Sequence, residues 1–147
     1  MNKTFQSFSE MTDDIRSLKN EDVHLLIQTV QKDKWSIREI IAHLYGWDRF
    51  NLQEMVPLMD DHATLPAFPD HDTHNKKVIL ELKGKSVYEI IDLFIETRQR
   101  LVDQLQKIEP KATFKIGKGK RVFSNESFTK IFIKHDSHHL QQIKNEL

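Results

Sequence analysis

Trp35-Ser36-Ile37-Arg38-Glu39-Ile40-Ile41-Ala42-His43-Leu44-Tyr45-Gly46-Trp47 opens a helix and fixes the face it buries. Ser36 and Glu39 form a Ser-x-x-Glu capping box: the serine hydroxyl accepts from the Glu39 amide while the glutamate reaches back to the amide of Ser36. Ile37, Ile40, Ile41, Leu44 and Trp47 recur at three- and four-residue steps, so one face is apolar and belongs against a core. The pattern runs on to Met55, and Pro57 makes further continuation costly. His43 shares this face, three residues after Ile40 and four before Trp47.

The same signals recur on either side. Phe5, Phe8, Met11, Ile15 and Leu18 predict a first helix. The register falters at Lys19-Asn20-Glu21 and resumes with Val23, Leu26, Ile27 and Val30, which reads equally as a second short helix or a continuation. Ser86-Val87-Tyr88-Glu89 is another capping box, and the helix it opens carries Val87, Ile91, Phe94, Leu101, Leu105 and Ile108 on a heptad-like seam that Pro110 closes. Ser124, with Glu126 near the positive helix end, starts a last helix bearing Phe128, Ile131, Phe132, His135, His139 and Ile143.

Four long helices, no convincing sheet and no internal repeat predict an all-α fold, an up-down four-helix bundle forming one domain over residues 1–147. Residues 57–85, between helices two and three, are too long for a simple bundle turn and leave room for a crossover. This loop holds Pro66, Pro69 and His71-Asp72-Thr73-His74, and its Val78 to Leu82 reads as a helical turn or a short strand. Phe114 to Phe123 alternates around two glycines, as a small hairpin does.

Lys plus Arg equal Asp plus Glu at 22 each, so the chain has no basic stripe and nucleic acid is excluded as an expected partner. The absence of cysteine excludes disulfides, thiolate ligands and a cysteine nucleophile; any thiol must come from outside. No apolar run reaches signal-peptide length or the roughly 20 residues of a membrane span, which makes a cytoplasmic protein without a membrane partner the expectation. Gly117-Lys118-Gly119-Lys120 lacks the spacing of a P-loop, and no Ser-His-Asp or paired-carboxylate arrangement is identifiable.

The chemistry lies in the histidines. His135 and His139 stand one helical turn apart and can present ring nitrogens to one ion, but His138, three after His135, competes, and spacing does not choose between them. Phe128 and Phe132 put these rows on or beside the apolar stripe, and His43 faces inward likewise. Burying three unpaired imidazoles is costly, and a divalent cation shared by them offsets that cost. Three neutral ligands leave coordination positions open, as a catalytic ion requires.

Two further residues are candidate substrate contacts. Arg98 falls on the third helix's seam where an apolar side chain is expected. Either its stem covers the core edge while the guanidinium meets water or a carboxylate, or it binds an anionic substrate or thiol. Trp47 is a core residue or a pocket wall. His71 and His74 are expected to be exposed on their loop, and His24 and His62 carry no signal.

The stretch from Trp35 to Trp47, together with His135-Asp136-Ser137-His138-His139-Leu140-Gln141-Gln142-Ile143, resembles the DinB-like superfamily. That family's pattern is a Trp-Ser opening to helix two, a His-Leu pair near its middle, and His-x-x-x-His with a trailing Gln-Ile on helix four. The resemblance implies a four-helix bundle in which His43, His135 and His139 bind a divalent metal, zinc or nickel, and it selects His139 over His138. Members with assigned activity include thiol-dependent S-transferases and a mycothiol-dependent maleylpyruvate isomerase, whereas some relatives have lost the triad and act without a metal. The function it implies is a metal-dependent transferase joining a low-molecular-weight thiol to a small-molecule substrate. Metal-dependent hydrolysis and non-catalytic binding or sequestration of a small molecule are the alternatives. Family members often pair, so a homodimer is expected; residues 57–85 match no substrate-specific subfamily.

Overall fold

The structure, a computed structural model, describes residues 2–29 and 34–147. Val30, expected on the second short helix, lies outside them. Helix α1 (Lys3–Arg16) begins where the Asn2 side chain accepts from the Thr4 amide, and it buries Phe5, Phe8 and Ile15. A 3-10 turn, Ser17–Asn20, then separates it from α2 (Val23–Ile27), so the faltering register marks a break and a second short helix. Both capping boxes form: Ser36 with Glu39 opens α3 (Ile37–Phe50), and Ser86 with Glu89 opens α5 (Val87–Lys107). The path of α3 widens into a π-helix, Asn51–Met55, before a 3-10 turn, Val56–Leu58, that contains Pro57. Ser124 caps the last helix, α6 (Asn125–Glu146), in a reciprocal box with Ser127.

Residues 57–85 are more ordered than a loop. Asp70 caps α4 (His71–Glu81), so Val78 is helical, Leu82 is the C-cap, and His71 and His74 stand on a helix. α4 packs on α3, with Val78 in the shared core.

The directions of the long helices follow from the two halves of the core. Ile15 at the end of α1 and Leu18 just beyond it meet the starts of α3 (Ile37, Ile41) and α5 (Val87, Ile91) and the end of α6 (Leu140, Ile143). Phe5 and Phe8 meet Trp47, Leu101, Leu105, Phe128 and Phe132 in the other half. α1 and α6 therefore run one way, α3 and α5 the other: up, down, down, up. The crossover lies in residues 57–85, where α4, 11 residues long, covers about 16 Å of the return at about 1.5 Å per residue. α1 and α3 each pack against both α5 and α6.

Beside the bundle, β1 (Ala63–Leu65) pairs in parallel with β2 (Phe114–Ile116). The expected hairpin is reduced to one antiparallel bridge, Phe114 to Phe123. The crossover brings β1 alongside β2 and takes up its hydrogen-bonding groups. Among the described residues no helix is long and apolar enough to cross a membrane.

Candidate metal centre

α3 and α6 face each other at their middles, and His43, His135 and His139 meet there. His43 Nε2 stands 3.0 Å from His135 Nε2 and 3.1 Å from His139 Nε2. Each ring's other nitrogen is engaged: His43 Nδ1 with Asn75 Oδ1, His135 Nδ1 with Asp136 Oδ1 and His139 Nδ1 with Gln142 Oε1, all at 2.8 Å. A carboxylate only accepts, so His135 carries its proton on Nδ1. Trp47 Nε1, a donor only, also reaches Asn75 Oδ1, at 3.2 Å, which fixes that amide's orientation and hence the proton on His43 Nδ1. With these protons on the outer nitrogens, the Nε2 lone pairs of His43 and His135 face each other, and lone pairs 3.0 Å apart repel unless a cation lies between them. Nitrogens bound at about 2.0–2.1 Å to one tetrahedral zinc stand about 3.3 Å apart, close to the separations here. The donor set fits a divalent cation.

A family model of the DinB superfamily matches residues 8–143, which include all three histidines. The chain belongs to the DinB superfamily. Among solved structures it is similar to YfiT from Bacillus subtilis, a probable metal-dependent hydrolase with an unusual four-helix bundle topology. The identity is 17% and the TM-score 0.66, covering 98% of this chain and 83% of that one. At that identity the likeness is one of fold. No curated protein matches the sequence.

Behind the histidines, this DinB-superfamily bundle is tied by a buried guanidinium. Arg98 is fully enclosed. Its Nε and Nη2 donate to the two oxygens of Asp48 at 2.7 and 3.0 Å, and its Nη1 donates to the Phe8 carbonyl at 3.0 Å. Nη2 also donates to Asp136 Oδ2. The Phe8 ring stacks on the guanidinium at 3.7 Å. One residue thus joins α1, α3, α5 and α6, and through Asp136 it stands one step from His135.

Burial sets the protonation of the centre. It lowers the His43 pKa to about 4, against the pull of the Asn75 hydrogen bond, and lowers that of His139 as well. Both rings are neutral at physiological pH, as ligands must be. Burial raises the Asp48 pKa to about 6, and Arg98 limits the rise. Burial opposes the charge on Arg98, but Asp48 and Asp136 outweigh it and raise its pKa.

Of the residues singled out in sequence, the structure brings the three histidines together. His138 is exposed and only its ring edge meets His139. Trp47 is buried, with its ring 4.3 Å from that of His74, which is half-buried, while His71 is exposed. Trp35 and Phe132 flank the centre, 4.9 Å from His43 and 5.9 Å from His135. Sequence reading missed Asn75, Asp136 and Asp48. A faint signal existed for Asn75, which lies three before Val78 and seven before Leu82 on the row α4 buries.

Proposed function

We propose that this protein is a divalent-metal-dependent enzyme that activates a low-molecular-weight thiol for attack on a small electrophile, with the ion held by His43, His135 and His139. The observation that carries the reading is the convergence of three Nε2 atoms in rings whose Nδ1 atoms are all engaged elsewhere. When bound, a divalent cation supplies Lewis acidity, easing proton loss from a thiol or water and polarising a substrate atom. His43 and His135, locked by Asn75 and Asp136, hold their rings in place without reorganisation, and Trp35 and Phe132 shield the rings from water on two sides.

The choice of thiol over water rests on what surrounds the histidines. Among the described residues the group contains no carboxylate, and both oxygens of Asp136 are committed to His135 and Arg98. Among the described residues, that group therefore leaves no free carboxylate to serve as a general base. A thiol, with an ordinary pKa of about 8.5, needs far less help to ionise than water, at about 15.7. The second reading, metal-dependent hydrolysis, is favoured by the fold shared with YfiT.

Metal-loaded protein, incubated with a panel of small thiols and activated electrophiles, tests the choice. The proposal expects turnover that saturates with thiol. Thiol-independent turnover of an ester or amide selects hydrolysis, and stoichiometric binding without turnover by either route makes the protein a small-molecule binder.

A further inference from the structure

Two carboxylates, Asp48 and Asp136, share one guanidinium in a site closed to water; Asp48 is 1%, Asp136 3% and Arg98 0% exposed. The cluster carries one more negative than positive charge. Asp48 Oδ1 and Oδ2 both face Arg98, whereas Asp136 divides its oxygens, Oδ2 to Arg98 and Oδ1 to His135 Nδ1. The excess charge is therefore turned toward the ring whose other nitrogen faces the centre. Neither of the other two outer partners, Asn75 and Gln142, is charged.

We propose that Asp136 is the positioning residue of the metal centre, making His135 its dominant ligand, and that Arg98 holds the Asp136 carboxylate in the orientation this needs. The proposal rests on the three-histidine reading above. A carboxylate behind an imidazole fixes its tautomer and raises its basicity toward a cation. Arg98 keeps Asp136 from turning, because the guanidinium is itself held by the Phe8 carbonyl and lies against the Phe8 ring, contacts that do not depend on the charge at Asp48. An asparagine at 136 cannot satisfy both neighbours: whichever way its amide turns, its NH2 meets either His135 Nδ1–H or Arg98 Nη2–H.

The test compares Asp136→Asn with Asp48→Asn, which removes a charge from the same guanidinium without touching a histidine. Zinc affinity is measured by competition titration at neutral pH, the spectrum of cobalt-loaded protein reports the ligand field, and thermal melts report stability. The expected result is a loss of zinc affinity of about 10- to 100-fold and an altered cobalt spectrum for Asp136→Asn, with Asp48→Asn within a few-fold of wild type although comparably destabilised. Equal affinity in Asp136→Asn and wild type overturns the proposal, as does an equal loss in Asp48→Asn, which would reduce Asp136 to a structural ion pair. Wild-type protein that binds no divalent cation overturns both this proposal and the three-histidine reading. Should Asp136→Asn fail to fold, long-range proton–nitrogen spectra of metal-free wild type decide: an Nδ1–H tautomer at His135 supports the proposal, and an Nε2–H tautomer overturns it.

Discussion

Asn75 Oδ1 lies 2.8 Å from His43 Nδ1, and this contact brings the crossover segment into the metal centre. His43 sits on α3 and Asn75 on α4, so the helix that returns the chain along the bundle also sets the tautomer of a candidate ligand. Asn75→Ala should weaken zinc binding about 10- to 100-fold and cost about 1–3 kcal/mol of stability, because His43 Nδ1 and Trp47 Nε1 lose their shared acceptor in a buried place. Metal titration and urea unfolding of the variant check both effects; Asn75→Asp, which keeps an acceptor, should bind more tightly than Asn75→Ala.

Gly46 lets α4 approach closely enough for that contact. A Cβ at this position would stand 2.7 Å from Val78 Cγ2. Gly46→Ala should destabilise the protein by about 1–3 kcal/mol and lower metal affinity by moving Asn75, and adding Val78→Ala should recover much of the affinity. Zinc titration of the single and double variants reads the outcome.

Arg98→Met should cost about 3–5 kcal/mol, since it leaves two buried carboxylates without their cation. Arg98→Lys should recover little, because an ammonium has no planar fork with which to reach Asp48, Asp136 and the Phe8 carbonyl together. Chemical denaturation of the two variants measures this.

Acid should weaken the metal-free fold through His43. Its folded pKa of about 4 lies below the ordinary 6.5, so the unfolded chain takes up the proton first as pH falls. The stability this neutral ring contributes is fully present above about pH 6.5 and declines toward pH 4, by a total on the order of 3 kcal/mol. Urea midpoints of metal-stripped wild type and His43→Gln across this range should diverge in slope, the wild type falling faster; parallel slopes would contradict the burial effect.

The long helices were legible because their signals are local. Ser36 with Glu39 and Ser86 with Glu89 lie three residues apart, and the seam of α5 repeats over its length. Arg98 stood out on that seam as a charge requiring a partner, but Asp48 and Asp136 are 50 and 38 residues away, and only the packed bundle chooses them. α4 was ambiguous because its apolar face is narrow: Asn75 and Val78 are its buried positions. The β1–β2 pairing was illegible for a related reason. Ala63 lies far along the chain from Phe114, and an alternating segment names no partner beyond its nearest neighbour. The family pattern chose His139 over His138; in the structure His138 is exposed and His139 Nε2 lies 3.1 Å from His43 Nε2.

Bound metal per chain in His43→Ala, His135→Ala, His139→Ala and His138→Ala, purified without a histidine tag and measured at neutral pH against wild type, tests the three-histidine centre most directly. The account predicts near-stoichiometric metal in wild type and His138→Ala and loss of most of it in the other three, because two neutral ligands hold a divalent cation poorly. Retention of metal by His43→Ala would contradict it, since His43 is the ligand that α3 supplies to the pair on α6.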